Sequence, residues 1–410
     1  MTAFSTALPL AIAYLRERLM ATLLNIILLG LGVGTILALL LTLSQAEQRM
    51  ERDAGGIDLV VGAKGSPLQL ILSAVFNVDI PTGNIPLAEA MLISAEPMVK
   101  RAIPLSLGDS FRSFRIVGTN PDYLELYQAG LAAGRLWQQP LEAVIGVEVA
   151  RATGLAVGSK FAGSHVLGEG GGDHADQPFV VVGVLQPTGA VVDRLIVTGL
   201  DSIWQVHRHA GPATGNIGSA KADEPEHDEA REITALLIQY ASPMAAVAFP
   251  RRVNAVSGLQ AASPAMETAR LFTLVGFGVT ALKLFAAVMM VCAALGIFIG
   301  LMNALNDRRA DLALLRLLGA GRSTVVLTVL LQGFALGIAG VILGVLLGHA
   351  GTEWMGAMVG KIHRVHLTGW TWTADEITVI GAALALALTA SLIPAWRAYR
   401  DAVPELLSRT

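Results

Sequence analysis

The sequence predicts a membrane α-helical protein with four transmembrane helices and a large extracytoplasmic α+β domain inserted between helices 1 and 2. The first observation is composition: the 410 residues are 53% hydrophobic and only 15% charged, with a mean hydropathy of +0.59. Such a chain is too apolar for an ordinary soluble protein. The second is that four apolar stretches are long enough to cross a bilayer. The third is that a long stretch of globular composition separates the first apolar stretch from the second.

Charge and cysteine content exclude several classes of protein. The formal net charge is −3, which argues against nucleic acid or another polyanion as a partner. Cys292 is the single cysteine and lies inside an apolar stretch, so no disulfide can form within the chain. The length allows one soluble domain in addition to several membrane helices.

The N-terminal region predicts a helix along the membrane followed by a span. Residues 1–22 combine the charged Arg16, Glu17 and Arg18 with apolar residues that include Leu8, Leu15 and Leu19, which predicts a short amphipathic helix on the cytoplasmic side of the membrane. Residues 23–44 then form an apolar run that is longer than the roughly 7–15 residues of a cleaved signal peptide, so we expect it to remain in the protein. The remaining segments are, in chain order, the extracytoplasmic domain 45–270, a stalk with the second span 271–305, a charged segment 306–322, the third span 323–348, a short external loop 349–376, the fourth span 377–396 and a cytoplasmic tail 397–410.

The extracytoplasmic domain reads as strands mixed with short helices, in two lobes. A strand over 99–107, a hairpin turn at 107–110 and a returning strand over 111–118 are the clearest local prediction. Further strands are predicted at 143–146, 179–185 and 233–240, with a short helix over 148–155. Residues 251–270 resume a helical pattern that leads into the second span.

Three features of the spans bear on helix packing and on the depth of the helices in the membrane. Lys283 lies near one end of the second span, where its ammonium can reach the interface. The third span contains the glycine pairs Gly333/Gly337 and Gly340/Gly344, which indicate either close helix packing or the ordinary glycine content of membrane helices. Trp370, Trp372 and Trp396 fall where an aromatic belt is expected.

Basic residues predict the orientation. Arginines are concentrated in the N-terminal segment, in residues 306–322 and in the tail, whereas the loop between the third and fourth spans has only Lys361 and Arg364. The positive-inside rule therefore places both termini and the charged segment in the cytoplasm, and the 45–270 domain outside. For a bacterium this is a multi-pass protein of the inner membrane.

The charged segment 306–322 predicts a short amphipathic helix between two spans. Leu312, Leu315 and Leu318 recur at helical spacing along one stripe, while charged side chains remain free for water or a partner. Gly319 and Gly321 end the helix where glycine is best tolerated. Such a helix is either a simple turn at the membrane surface or the contact with a cytoplasmic partner.

Several stretches resemble the permease subunits of the ABC transporter superfamily that include the macrolide-exporter, lipoprotein-releasing and FtsX-like proteins. Residues 307–320 (DRRADLALLRLLGA) resemble the coupling segment of that family, and 393–407 (IPAWRAYRDAVPELL) resemble the tail after its last span. Residues 144–150 and 183–189 resemble signatures of its external domain. Together these stretches extend over nearly the whole chain.

The resemblance implies a function by mechanotransmission. In that family a separate ATPase subunit, present in two copies and holding ATP and magnesium, moves the coupling segment, and rigid helices carry the motion to the external domain. No cofactor is expected in this chain, which is not an enzyme by itself. The resemblance assigns ATPase coupling to the following residues: Arg308, Arg309, Asp311, Leu312, Leu315, Arg316, Gly319 and Ala320.

Two ATPase subunits require two coupling segments, so a second copy of the permease or a paralogue is expected. Gly30 and Gly34 in the first span form an i, i+4 pair of small residues, which predicts the contact between subunits. The remaining expected partners are membrane lipid and an extracytoplasmic protein. The substrate is not specified by the sequence.

Motifs for other chemistry are weak. Residues 154–160 contain glycines and a lysine but lack the spacing of a phosphate-binding loop, and we interpret them as a turn. The histidines at 165 and 174 lie in polar insertions without the close spacing of a zinc site. His165 and His174 therefore read as parts of solvated loops, with metal binding as the alternative.

Two other functions stay open. A regulatory scaffold of the same family type would use the motion to switch a periplasmic hydrolase or to report an external ligand. A receptor unrelated to ATP would use the segment 306–322 only as a turn.

Overall fold

The computed structural model describes residues 3–164, 177–209, 231–256, 258–307, 321–363 and 367–400. These form two compact units, which we call the membrane unit (Met1–Glu47 with Val275–Thr410) and the external unit (Gln48–Leu274). The described helices are α1 Ala3–Glu17, α2 Leu19–Asp53, α3 Pro67–Ala74, α4 Leu87–Ser94, α5 Asp122–Leu126, α6 Val147–Thr153, α7 Leu200–His209, α8 Ala245–Asn254, α9 Pro264–Asp307, α10 Arg322–His363 and α11 Ala374–Arg400. The described strands are β1 Leu59–Ala63, β2 Ile85–Pro86, β3 Val99–Phe111, β4 Phe114–Thr119, β5 Leu131–Gly134, β6 Glu142–Ile145, β7 Lys160–Phe161, β8 Phe179–Leu185, β9 Ile196–Gly199, β10 Glu232–Ile233, β11 Ala235–Tyr240 and β12 Leu259–Ala262, and a 3₁₀ turn covers Val191–Arg194.

Four described helices are long and apolar enough to cross a membrane: α2, α9, α10 and α11. Their number and order confirm the sequence prediction. Each helix is longer than the span predicted for it, because hydrocarbon thickness limits only the part of a helix that lies in lipid. The largest difference is in α10, which continues as far as His363 through residues that we had predicted to be external loop.

Glycines of α10 allow close approach of two other membrane helices. A Cβ atom added at Gly344 would lie 2.6 Å from Val33 of α2, and one at Gly340 would lie 2.6 Å from Leu29. On another face, a Cβ at Gly333 would lie 2.6 Å from the Cβ of Ser391 in α11. The glycine pairs of the third span are therefore packing sites, which decides between the two interpretations of their pattern.

The external unit is built on one mixed sheet in the order β12-β1-β11-β3-β4-β9-β6-β8-β5, with β7 also paired to β8. The pairs β4–β9 and β6–β8 are parallel. Apolar clusters cover both faces, one including Val60 and Leu237 and another including Leu59 and Leu236, because neighbouring residues of a strand point to opposite sides.

The two lobes stay a prediction, and one strand is shared by both halves of the sheet. The first part of β3 pairs with β11, up to Leu105 opposite Ala235. The second part pairs with β4, from Ser106 opposite Gly118. A 13-residue strand thus makes the two halves continuous.

Two local predictions in this unit were wrong. The hairpin turn is at Arg112 and Ser113, which have φ values of 46° and 68°, whereas the predicted turn residues 107–110 form an irregular stretch of β3. Glycine and aspartate favour turns, but a shift in pairing register accommodates them within a strand. Residues 251–270 are not one helix, because β12 intervenes and pairs with β1, a long-range contact that overrides local propensity.

Candidate functional site

The predicted coupling residues fall outside the described part of the chain, which ends at Asp307 and resumes at Gly321. The residues on both sides of this gap are described. Asp307, at the end of α9, forms an ion pair with Arg18. Arg322, at the start of α10, places its guanidinium 5.7 Å from the ring centre of Tyr399 in α11, a distance suited to a cation–π contact.

The helix ends that flank the segment belong to one apolar cluster. Leu301 of α9 and Val325 and Val329 of α10 are buried in it, together with Ala395 of α11. Leu15 of α1 packs against the same cluster. The two helix ends that flank the segment are thus packed into the same apolar cluster. A displacement of either helix end would therefore affect several helices together.

Gly30 and Gly34 lie in a contact within the chain. A Cβ at Gly30 would meet the side chain of Leu343 at 2.9 Å, and a Cβ at Gly34 would meet the Cβ of Leu347 at 3.1 Å. Both neighbours belong to α10. This packing accounts for the two small residues by itself, so their spacing is no longer an argument for a contact between subunits. Dimerisation itself stays a prediction.

The last turn of α2 is bonded into the external unit. Asp53 accepts a hydrogen bond from Arg194 at 3.0 Å, and its backbone carbonyl accepts one from the Tyr127 hydroxyl at 2.8 Å. Asp53 is only 3% exposed. Burial raises its pKa, although Arg194 and Arg49 act to lower it, because removal from water disfavours the charged carboxylate. Burial likewise raises the pKa of Tyr127.

The strands next to α2 and α9 are partners in the sheet. β1 begins six residues after α2 ends, and β12 ends two residues before α9 begins. These two strands pair antiparallel, with Val60 opposite Ala262. The two spanning helices that flank the external unit in the sequence, α2 and α9, are therefore continued by neighbouring strands, and Asp53 adds a link from α2 to the 3₁₀ turn that contains Arg194.

A polar network at the other end of α10 was missed by the sequence analysis. His349 contacts the carbonyl oxygen of Gly369 through Nδ1 and lies 3.0 Å from Glu376 Oε2 through Nε2. Gln45 of α2 exchanges two hydrogen bonds with the backbone of Thr368, at 2.8 and 2.9 Å. The local signal was the pattern Thr373-x-x-Glu376 before an apolar run, which is typical of a helix capping box.

The structure describes the glycine-containing stretch 154–160 but not the two histidines considered as metal ligands. His165 and His174 lie outside the described residues, and within the described ranges no group of three metal-ligating side chains comes together. Residues 154–160 form the predicted turn, between α6 and β7. Gly154 and Gly158 have φ values of 74° and 91° there, which glycine adopts readily.

Four membrane helices with an α+β domain between the first and second define a multi-pass membrane protein with an external domain. Residues 22–232 match the model of the MacB-like periplasmic core domain, and residues 283–403 match the model of the FtsX-like permease C-terminal region. The first match covers just over half of the chain. The protein belongs to the FtsX/MacB-like family of ABC permeases, whose members are membrane components of ABC transporters and are generally non-catalytic.

Solved structures similar to this chain are themselves external domains. One is the periplasmic region of MacB from Actinobacillus actinomycetemcomitans, at 11% identity and a TM-score of 0.34, covering 54% of this chain and 95% of that one. Another is the extracellular domain of the noncanonic ABC-type transporter YknZ from Gram-positive bacteria, at 12% identity and a TM-score of 0.31, covering 50% and 98%. No curated protein matches the sequence.

Proposed function

We propose that this chain is a permease subunit that transmits motion from a separate cytoplasmic ATPase to its periplasmic domain, for export or periplasmic handling of a substrate. Membership of the permease family supports the proposal. The observation that carries it is the continuity of α2 and α9, which have 35 and 44 residues and include parts of both compact units.

Neither helix has a proline in its interior. α2 contains no proline, and the only proline of α9 is its first residue, Pro264. Proline is the commonest cause of a sharp helix kink, so its absence from both interiors favours the transmission of a displacement from one end of each helix to the other. The strands that continue the helices, β1 and β12, would receive that displacement side by side.

Few ionisable side chains occupy the described spans. Lys283, in α9, is exposed, and Asn25 and Gln332 are uncharged polar residues buried in the membrane unit. A conduit for a polar substrate usually requires ionisable or pairing groups within the bilayer. The composition therefore favours transmission of movement over passage of a substrate through the chain.

The proposal includes a defined set of partners. Two copies of the ATPase, holding ATP and magnesium, would contact residues 308–320 of two permease chains, identical or paralogous. The complex would lie in the bacterial inner membrane with both termini of each chain in the cytoplasm. A periplasmic protein would determine whether the movement exports a substrate or switches a hydrolase.

Substitution of Leu315 tests the coupling assignment. Leu315→Asp places a carboxylate on the apolar stripe of the coupling segment, where burial without a partner costs several kcal/mol. We expect the variant to reach the membrane but to lose substrate-dependent ATP hydrolysis. Leu315→Met conserves the apolar character and is the matched control. Coupled hydrolysis at the control's rate in the aspartate variant would reject the assignment.

A further inference from the structure

Both ring nitrogens of His349 face hydrogen-bond acceptors. Nδ1 contacts the backbone carbonyl oxygen of Gly369, which can only accept, so Nδ1 must carry a proton. Nε2 lies 3.0 Å from Oε2 of Glu376, a residue that is completely buried. A hydrogen bond between Nε2 and Oε2 at this distance requires one more proton, carried by either atom.

That proton has two equivalent positions in the hydrogen-bond scheme. Either His349 is an imidazolium beside a carboxylate, or His349 is neutral beside a carboxylic acid whose Oε2 donates. Oε1 of Glu376 is engaged elsewhere, accepting from the backbone N–H of Thr373 at 2.7 Å. In both forms every contact is satisfied. Without that proton, a nitrogen lone pair of His349 faces an acceptor oxygen, which is either the carboxylate of Glu376 or the carbonyl oxygen of Gly369.

The pair holds a loop against three membrane helices. Glu376 closes the capping box of α11 through Thr373. One turn beyond His349, Glu353 accepts hydrogen bonds from the Thr368 hydroxyl at 3.1 Å and from the Gly369 N–H at 2.8 Å. Gln45 of α2 holds Thr368 from another side. We call residues 368–373, with these contacts, the outer latch.

Other charged groups near the latch are acidic in the described structure. Glu353 is exposed on α10, Asp375 is exposed at the start of α11, and Glu47 is exposed two residues beyond Gln45 on α2. The described loop residues 367–373 contain no charged side chain.

We propose that the outer latch is a proton-dependent switch, in which one proton shared by His349 and Glu376 keeps α2 tied to α10 and α11 through the loop. Loss of that proton frees the loop from His349 and Glu376. The hydrogen bonds between Thr368 and Gln45 are then lost as well. The consequence for transmission rests on the proposed function, since α2 is one of the two helices that carry the movement. The switch itself needs no ATPase.

Hydrogen exchange of the full-length chain in detergent tests the switch. Exchange at residues 367–373 is measured from about pH 5 to 9, with correction for the intrinsic pH dependence of exchange. We expect exchange in the wild type to become faster by about tenfold or more on deprotonation, as for loss of a hydrogen bond to a charged group.

Glu376→Gln is the decisive variant. The glutamine amide N–H can donate to Nε2 of a neutral His349, and its oxygen can still accept from Thr373, so the latch should stay closed across the whole pH range. His349→Gln removes the titrating ring, so hydrogen exchange at residues 367–373 should show no step with pH beyond the intrinsic dependence. A wild-type profile without a step, or a Glu376→Gln profile identical to the wild type with its step, would overturn the proposal.

Trp372 provides an independent readout. Its ring centre lies 4.5 Å from that of His349, so a change of charge on the imidazole should alter its fluorescence. Trp372→Phe identifies the contribution of this tryptophan, and the titration should be absent in His349→Gln. Both measurements use the permease alone, so their results remain valid even if the proposed partnership with an ATPase is wrong. A Trp372 signal that stays constant with pH would count against the switch.

Discussion

Asp53 carries an electrostatic cost that the surrounding residues offset. Its carboxylate is buried, and its ion pair with Arg194 at 3.0 Å is also mostly removed from water. The raised pKa means that the folded chain holds a proton on Asp53 more tightly than the unfolded chain does. The contribution of this group to stability is therefore greatest below the unfolded pKa of about 3.9 and declines as pH rises through the folded value.

We predict that the two partners of this pair depend on each other. Asp53→Leu alone leaves a buried guanidinium without its carboxylate and should lower the free energy of unfolding by about 3–5 kcal/mol. Asp53→Leu with Arg194→Met should cost less than Asp53→Leu alone, because the guanidinium that the single substitution leaves without its carboxylate is also removed, while Arg49 is present in both variants. Denaturant unfolding of the full chain in detergent, arranged as a double-mutant cycle, measures the difference.

An exposed ion pair serves as the control. Arg135 and Glu142 pair at the surface of the external unit, and the pKa of Glu142 is lowered to about 2, first by its hydrogen bond with Arg135. Because water screens such a pair, Arg135→Met should change stability far less than Asp53→Leu does. An additive cycle for Asp53 and Arg194 would show that their contact does not matter.

At the scale of the helices, the stripe of glycines on α10 sets how closely it approaches α2. Gly344 lies where any side chain would collide with Val33. The backbone carbonyl of Gly30 is also 3.1 Å from the position of that missing Cβ, so glycines on the two helices face each other. Close backbone contact is a main source of helix association in membranes.

We predict that Gly344→Leu separates α2 from α10. The added side chain overfills the contact and should destabilise the membrane unit by about 1–3 kcal/mol or more. Gly351→Leu is the matched control, because it lies on the same helix with no atom within 4 Å of its missing Cβ. Thermal unfolding in one detergent compares the two. Equal melting temperatures would contradict the packing role of Gly344.

At the scale of the whole molecule, the open question is how two copies of the permease meet. Within the described chain, Gly30 and Gly34 face α10. A neighbouring side of α2, which includes Ile27 and Leu31, is exposed. An exposed apolar face within a membrane contacts either lipid or another copy, and the proposed pairing of two permease chains with two ATPase subunits would favour the copy.

We predict that cysteines on this exposed side crosslink between subunits. Ile27→Cys and Leu31→Cys, each in a Cys292→Ser background, should form disulfide-linked dimers in native membranes. Leu29→Cys is the control, because Leu29 is buried against α10. Gel mobility without reductant reports the outcome. Dimers from Leu29→Cys, or monomers from all three with the ATPase bound, would exclude this face.

The sequence by itself determined the architecture of the membrane unit. Long apolar runs have one stable solution in lipid, because every backbone polar group must be satisfied within the helix. The number and order of the spanning helices therefore followed from composition, as did the position of the external domain. The family followed from motifs at residues 307–320 and 393–407, whose resemblance the matching family models confirm.

Only the tertiary structure decided which residues meet. Gln45 and Thr368 are 323 positions apart, and no local pattern pairs them. The capping box at Thr373 indicated a helix start but not that His349 would share the carboxylate of Glu376. In the same way, the spacing of Gly30 and Gly34 led us to predict a contact between subunits, whereas in the structure both glycines pack against α10 of the same chain.

The turn in the β3–β4 hairpin shows the physical reason. Residues 107–110 have the composition of a turn, yet pairing with neighbouring strands keeps them within β3 and moves the turn to Arg112 and Ser113. Local propensity is worth a fraction of a kcal/mol per residue, whereas burial of an apolar side chain contributes about 1.5–3 kcal/mol. Contacts between distant segments therefore decide the register, and with it the residues that form each site.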